Sequence, residues 1–302
     1  MASAAGALQR IAWMVVDFDG TCTIQDTTPL IPHLSEAHAP SGDVRPGKLE
    51  KFRDLEAKFI AGMSNLAAKY QLDRTLSSPE GARRADLAGL AEYLSAQDAF
   101  SSAVTEEVSD SGCLAGIRPS AVSETLAAWA AEPEQRPAGC RLPELRPGCL
   151  ETLAHAAAVG CGIGVLSINW CPSLVGAVLA SGPEHALWSN NVDDQGKVQL
   201  LVPGAAEKKL KIAELKANAA GDGLVVYVGD SSTDLQALLE ADIGILIGES
   251  SSTRRVAQKY GVGLRPLRQK LEDDSTISEE VSIWEAENWE EIENVLFKAI
   301  EA

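Results

Sequence analysis

Four short apolar runs constrain the fold of this chain more than any other feature. They are "IAWMVV" from Ile11, "CGIGVLS" from Cys161, "LVVYVGD" from Leu224 and "DIGILI" from Asp242. None shows the in-out alternation of a half-exposed strand, and each is too short for an ordinary helix. Runs of this kind are strands buried on both faces, which points to a parallel sheet covered by helices on either side. From position 149 onward helical stretches alternate with them, at about 149–159, 206–219 and 233–240, and a strand-like "VQLLV" stands before the second. The expected fold is α/β, a doubly wound parallel sheet.

The stretch between the first two strands is different in character. Leu49, Phe52, Leu55, Phe59, Met63, Leu66 and Tyr70 recur at helical spacing after Pro46 and Gly47, which predicts an amphipathic helix over 48–70. A second helix is expected after Pro79, carrying Leu87, Leu90 and Leu94, and a third over about 120–131. The proline-rich "EPEQRPAGCRLPELRPG" that follows reads as a linker or hinge. The expected organisation is therefore a core built from 1–24 and 146–302, with 25–145 an inserted all-helical cap. Near the C-terminus the acidic "EDDSTISEEVSIWEAENWEEIENVLFKAIEA" carries a stripe of Ile292, Val295, Leu296 and Ile300. That stripe predicts a solvated amphipathic helix packed back on the core.

In an open parallel sheet, ligands bind beyond the carboxyl ends of the strands. Asp17, Ser167 and Asp230 all stand at such ends. A lone Asp-x-Asp is an ordinary solvated turn, but carboxylates that face one another raise each other's pKa unless a cation neutralises them. A hard divalent cation such as Mg²⁺ takes oxygen ligands and leaves room for phosphate oxygens. Asp17, Asp230 and the backbone carbonyl of Asp19 would be its protein ligands. One carboxylate could then attack phosphorus, a second could move protons at the leaving oxygen and at water, and a serine with a lysine could stabilise the transferring group.

"DFDGT" at Asp17, Ser167 after "GVL", Lys208 ahead of a helix and "GDSSTD" over 229–234 resemble, in order and spacing, the four motifs of haloacid dehalogenase-like hydrolases. The resemblance spans nearly the whole chain. It implies that Asp17 is the nucleophile and Asp19 the general acid and base. It further implies that Ser167 and Lys208 bind phosphate, that Asp230 binds Mg²⁺, and that Asp234 supports the metal site or the lysine. Lys209 and Lys211 are neighbouring alternatives to Lys208; Ile212 and Leu215, at i+4 and i+7, favour Lys208. A helical insert between the first and second motifs resembles the class in which a cap closes over the site. The dehalogenases of the family lack the second aspartate and its ion-pumping ATPases carry threonine there, so Asp19 implies a phosphatase or phosphotransferase. "LSINWCPSLV", "GDSSTDLQALLEADIGILIGESSSTRRV" and "YGVGLRPL" are similar to the thiamine monophosphate phosphatase domains of plant bifunctional thiamine-biosynthesis enzymes.

That resemblance implies a Mg²⁺-dependent phosphomonoesterase acting on a small-molecule phosphate ester, with thiamine monophosphate as the leading substrate. The same-class alternative is a nucleotide, phosphorylated amine or sugar phosphate; the different-class alternative is a non-catalytic metabolite- or partner-binding protein on the same fold. Asp26, just past the first motif, could face a cationic substrate or could form an Asx-turn before "TTP". Trp170 could stack on an aromatic ring or serve as a core aromatic. Arg254 and Arg255 could touch phosphate or lie on a surface helix.

Composition narrows the partners. With 26 Lys and Arg against 43 Asp and Glu, the formal charge is −17, and a nucleic-acid binder needs a basic face. No apolar run approaches the roughly 20 residues of a membrane span. Six cysteines without a C-x-x-C pair and four histidines without ligand spacing argue against zinc and for free thiols. The opening "MASAAGALQR" is short and runs directly into the first strand, so a cytoplasmic protein is expected.

Overall fold

The computed structural model describes residues 10–39, 47–72, 85–219, 223–271 and 281–298. The chain begins with β1 (Ile11–Val16) and then runs through four helices: α1 (Ile31–Ala37), α2 (Lys48–Lys69), α3 (Leu87–Ser111) and α4 (Val122–Ala131). Next come α5 (Cys149–Ala158), β2 (Gly162–Ser167), α6 (Pro172–Val178), β3 (Ala186–Ser189), β4 (Asn191–Val192) and β5 (Val198–Gln199). The remainder is α7 (Ala205–Asn218), β6 (Leu224–Gly229), α8 (Leu235–Glu240), β7 (Ile243–Ile247), α9 (Ser251–Lys259), β8 (Gly263–Pro266), β9 (Ser282–Ala286) and α10 (Trp289–Leu296).

Seven strands form one sheet in the order β3-β2-β1-β6-β7-β9-β8, and every pairing is parallel. β1 sits at the switch between the two winding directions, flanked by β2 and β6. Its odd and even residues feed two separate cores. Met14 and Val16 pack with Cys149, Leu153, Val175, Trp289 and Ile292, from α5, α6 and α10. Val15 packs with Leu90, Leu94, Ile212, Leu215 and Leu238, from α3, α7 and α8. Two covered faces are what the uninterrupted apolar runs demand. At Gly164 of β2 the sheet has no room for a side chain, because a Cβ there would stand 2.5 Å from the Trp188 ring of β3.

The helix over 48–70 and the helix at 120–131 are present as α2 and α4. The helix expected after Pro79 starts at Leu87, where Asp86 caps it by accepting from the Gly89 amide at 2.8 Å, and it continues to Ser111; residues 73–84 lie outside those described. Two expectations need correction. "VQLLV" contributes only Val198–Gln199, paired antiparallel with β4 outside the main sheet, because Asn190 takes the Leu201 and Val202 amides on its side-chain oxygen and ends the strand there. The acidic tail is more than a solvated helix. It supplies β9, inserted between β7 and β8, and α10, whose Trp289 and Ile292 are completely buried. Ile300 of the expected stripe lies outside the described residues. Among the described residues no helix is long and apolar enough to cross a membrane.

Candidate active site

β1, β2 and β6 end side by side, and their polar ends share one cavity of about 540 Å³. Asp17, Asp19, Ser167 and Asp230 all line it. Residues from three widely separated stretches of sequence therefore meet because three adjacent parallel strands stop at the same level.

Lys208 stands behind Asp17. It is the fourth residue of α7, fully buried, with Nζ 3.1 Å from Asp17 Oδ2 and 2.7 Å from Asp234 Oδ1. Burial alone would lower the pKa of its ammonium, but the charges of Asp17 and Asp234 reverse that and hold it above the usual lysine range. Lys209 faces Glu240 from the surface at 3.9 Å. Lys211 pairs with Glu214 and lies over the Trp188 ring. Of the three lysines, Lys208 is the one brought to Asp17.

Asp234 is saturated. Its Oδ1 accepts from Lys208 and from the Tyr227 hydroxyl at 2.6 Å; its Oδ2 accepts from the Ser231 amide and hydroxyl at 2.9 and 2.8 Å and from the Asp230 amide at 3.2 Å. Burial pushes its pKa up, and Lys208 with these donors brings it below the ordinary aspartate value. Asp234 is thus fixed as an anion that orients Lys208 and the loop after β6.

Asp17 and Asp230 are less well satisfied. Asp17 Oδ1 accepts from the Phe18 amide at 2.7 Å, and burial lifts its pKa to about 6 in spite of Lys208. Asp230 Oδ1 accepts from the Thr21 hydroxyl at 2.8 Å; burial, then the charges of Asp234 and Asp17, lift its pKa to about 8. Carboxylate oxygens of Asp17, Asp230 and Asp234 all lie within 4.8 Å of one another. With Asp234 committed to its donors, the oxygens of Asp17 and Asp230 are the ones suited to a hard cation, whose charge would reverse the upward push on both. Gly20 keeps this space open: a Cβ there would sit 2.4 Å from Asp230 Oδ2, and its φ of +76° favours glycine.

Asp19 is held separately. Its Oδ1 accepts from the Thr27 amide and hydroxyl at 2.8 and 2.7 Å, and its Oδ2 from Asn169 Nδ2 at 2.7 Å. Burial, followed by the charge of Asp26, raises its pKa to about 7, with Asn169 and Thr27 opposing. A carboxyl poised there can give and take protons near neutrality. Ser167 is buried, and its Oγ accepts from the Asn169 amide at 3.2 Å.

Asp26 and Trp170 also line the cavity. Asp26 accepts from the Thr28 amide at 2.8 Å, so the Asx-turn is present; Trp170 packs against a cluster that includes Leu174 and Cys171. Arg254 is turned to Glu285 and the Gly248 carbonyl, Arg255 is exposed, and neither lines the cavity. All six cysteines are buried free thiols.

Sequence reasoning missed Asn169, Thr27, Tyr227 and Thr21. Asn169 had a signal, being a polar residue two places past Ser167 on the same strand-end loop. Tyr227 had a weaker one, as the single hydroxyl inside an otherwise apolar strand.

A doubly wound parallel sheet with these residues at its switch point resembles the haloacid dehalogenase-like phosphatases. No family model matches the chain. It is similar to the bifunctional TH2 protein, mitochondrial, of Arabidopsis thaliana, at 26% identity over 271 residues, which take in 83% of this chain and 42% of that protein. The chain thus spans about two fifths of the length of that curated relative. Among solved structures it is similar to a protein of unknown function from Bordetella pertussis Tohama I, at 15% identity and a TM-score of 0.49, covering 83% of this chain and 96% of that one. A substrate-bound phosphoserine phosphatase matches at 15% identity and a TM-score of 0.47, covering 82% and 90%.

Proposed function

We propose that the protein is a phosphoric monoester hydrolase that works through a phosphoaspartate on Asp17. The observation that carries this reading is the meeting of Asp17, Asp19, Ser167 and Asp230 on one cavity wall, with buried Lys208 against Asp17. Asp17 attacks phosphorus through a carboxylate oxygen, and the ester oxygen leaves with a proton from Asp19. Asp19 then takes a proton from water, which attacks the phosphoaspartate and frees phosphate and Asp17. Lys208 and the Ser167 hydroxyl stabilise the charge on the transferring group. Asp17, Asp230 and the Asp19 carbonyl would hold Mg²⁺, which when bound offsets the phosphate charge and orients it for attack. Residues 25–145 act as the cap, α2 and α3 furnishing the apolar roof of the cavity through Phe52, Leu55 and Val104.

Thiamine monophosphate is the leading substrate. The second-half resemblance to plant thiamine monophosphate phosphatase domains supports it, and so does a cavity wide enough for an aromatic cation with Trp170 on its wall.

Phosphate release from thiamine monophosphate, nucleoside monophosphates, phosphoserine and a sugar phosphate, with Mg²⁺ and with a chelator, tests both levels. The expected result is metal-dependent turnover, highest on thiamine monophosphate and abolished in Asp17→Asn. Turnover spread over the other esters would remove the thiamine assignment. A folded protein inactive across the panel would overturn the hydrolase.

A further inference from the structure

The walls of the cavity beyond the phosphate end have an unusual chemistry for an enzyme of small polar esters. Among the described residues lining it there is no Lys, Arg or His, while Asp26, in the loop after β1, and Glu56, on α2, add two further carboxylates. Around them the lining is mainly apolar, with Phe52, Leu55 and Phe59 from α2, Val104 and Val108 from α3, and Trp170, and the neutral hydroxyls of Thr28, Ser101 and Thr105 stand among them. Ile24 and Ile60, which also line the cavity, are 46% and 59% exposed, so its apolar lining reaches open solvent.

Glu56 differs from every other carboxylate in the cavity. Asp17 and Asp230 belong to the strand ends, Asp19 is held by Thr27 and Asn169, and Asp26 is engaged in its own turn. Glu56 is half-buried, one helical turn from Phe52 and Phe59 on α2. Among the described residues it has no ion pair and no side-chain hydrogen bond. A substrate carboxylate entering here would lose water and meet like charge, hydrocarbon and a few neutral hydroxyls, with no cation among the described lining residues to offset it. An organic cation would meet aromatic faces and one uncommitted carboxylate.

Granting the phosphatase reading, we infer that this cavity selects phosphate monoesters of cationic, largely apolar alcohols, that it rejects esters bearing a carboxylate, and that Glu56 is the residue that recognises the cation. Specificity here is built as much from what is missing as from what is present, since a single Arg or Lys on the roof would invert it.

The test pairs turnover with binding. Three probes are hydrolysed by wild type and Glu56→Gln: thiamine monophosphate (cationic), 4-nitrophenyl phosphate (neutral leaving group) and phosphoserine (carboxylate-bearing). Thiamine itself is titrated calorimetrically into both proteins, a readout that needs no chemistry. The wild type should favour the cationic ester over phosphoserine by at least about 100-fold in kcat/KM. Glu56→Gln should lower kcat/KM for the cationic ester about tenfold more than for the neutral one, through KM, and should weaken thiamine binding about tenfold. Glu56→Lys should narrow or reverse the preference against phosphoserine. Equal losses on cationic and neutral esters, or unchanged thiamine binding, would overturn the role of Glu56 while leaving the hydrolase intact. Thiamine binding that depends on Glu56 in a protein that hydrolyses none of the three would do the opposite, keeping the cation site and removing the phosphatase.

Discussion

Lys208→Met tests whether the buried ammonium holds the strand ends together. Methionine keeps much of the stem and removes the charge, leaving Asp17 and Asp234 buried with no cation between them. Asp234 loses its closest cation but retains the Tyr227 hydroxyl, the Ser231 amide and hydroxyl and the Asp230 amide. Asp17 is left with the Phe18 amide as side-chain donor among the described residues, and it is the Asp17 part that gives the change between pH 5 and pH 8. In the wild type burial already pushes the Asp17 carboxyl up to about 6, above its ordinary 3.8, with Lys208 restraining it. Without Lys208 the folded-state value climbs further. A carboxyl whose folded value exceeds its unfolded one stabilises the fold fully below the unfolded value and loses that contribution as pH rises through the folded value. In the wild type that loss levels off above about pH 6; in the variant it continues. If the variant's Asp17 is still protonated at pH 8, the extra loss over those two pH units is about 3 kcal/mol, at about 1.4 kcal/mol for each. That agrees with the 3–5 kcal/mol typical of removing one partner of a buried pair. At pH 5 the Asp17 carboxyl is largely protonated in both proteins and this part of the difference vanishes. The assay is urea unfolding followed by far-UV circular dichroism at pH 5 and pH 8, with a chelator present so that no bound cation substitutes for the lysine. Lys209→Met, on the surface, is the control and should stay within about 0.5 kcal/mol. A Lys208→Met protein within about 1 kcal/mol of wild type at pH 8, or one destabilised equally at both pH values, would refute the reasoning.

Asn169→Leu removes the donor to Asp19 Oδ2 and should lower kcat about 10- to 100-fold with KM changed less than about threefold, because proton transfer depends on how Asp19 is aimed; steady-state kinetics on the best ester decide it, and a pure KM effect would contradict it. Gly20→Ala drives a methyl group toward Asp230 Oδ2 and forces a left-handed backbone on alanine. It should weaken Mg²⁺ binding at least about tenfold by calorimetry and cost about 1 kcal/mol of stability, and wild-type affinity in a folded variant would show that the Gly20–Asp230 approach has no bearing on the cation.

What the sequence disclosed, and what it hid, follows from how burial is distributed. β7 is buried at every position and β6 at five of six, so their apolar runs admit no other reading, and the aspartate or serine closing such a run is conspicuous because it breaks the pattern at the sheet's ligand edge. β9 has no such signature. In Ser282–Ala286 only Ile283 and Ala286 are buried, and a glutamate lies between them, so local pattern gives it to the acidic tail. Its place between β7 and β8 is fixed by tertiary pairing alone. The same tail reaches the loop after β1: Trp289, fully buried, donates its indole N–H to the Thr21 carbonyl at 3.0 Å, across 268 positions of sequence. Thr21 is the residue whose hydroxyl donates to Asp230. The loop that carries Asp17 and Asp19 is therefore braced from its far side by α10. Asn169, which aims Asp19 from 150 positions away, is hidden for the same reason. Motifs announce the residues that close the strands because each breaks an apolar run at the sheet's ligand edge. The residues that hold them still come from wherever the fold passes close, and no periodicity marks them.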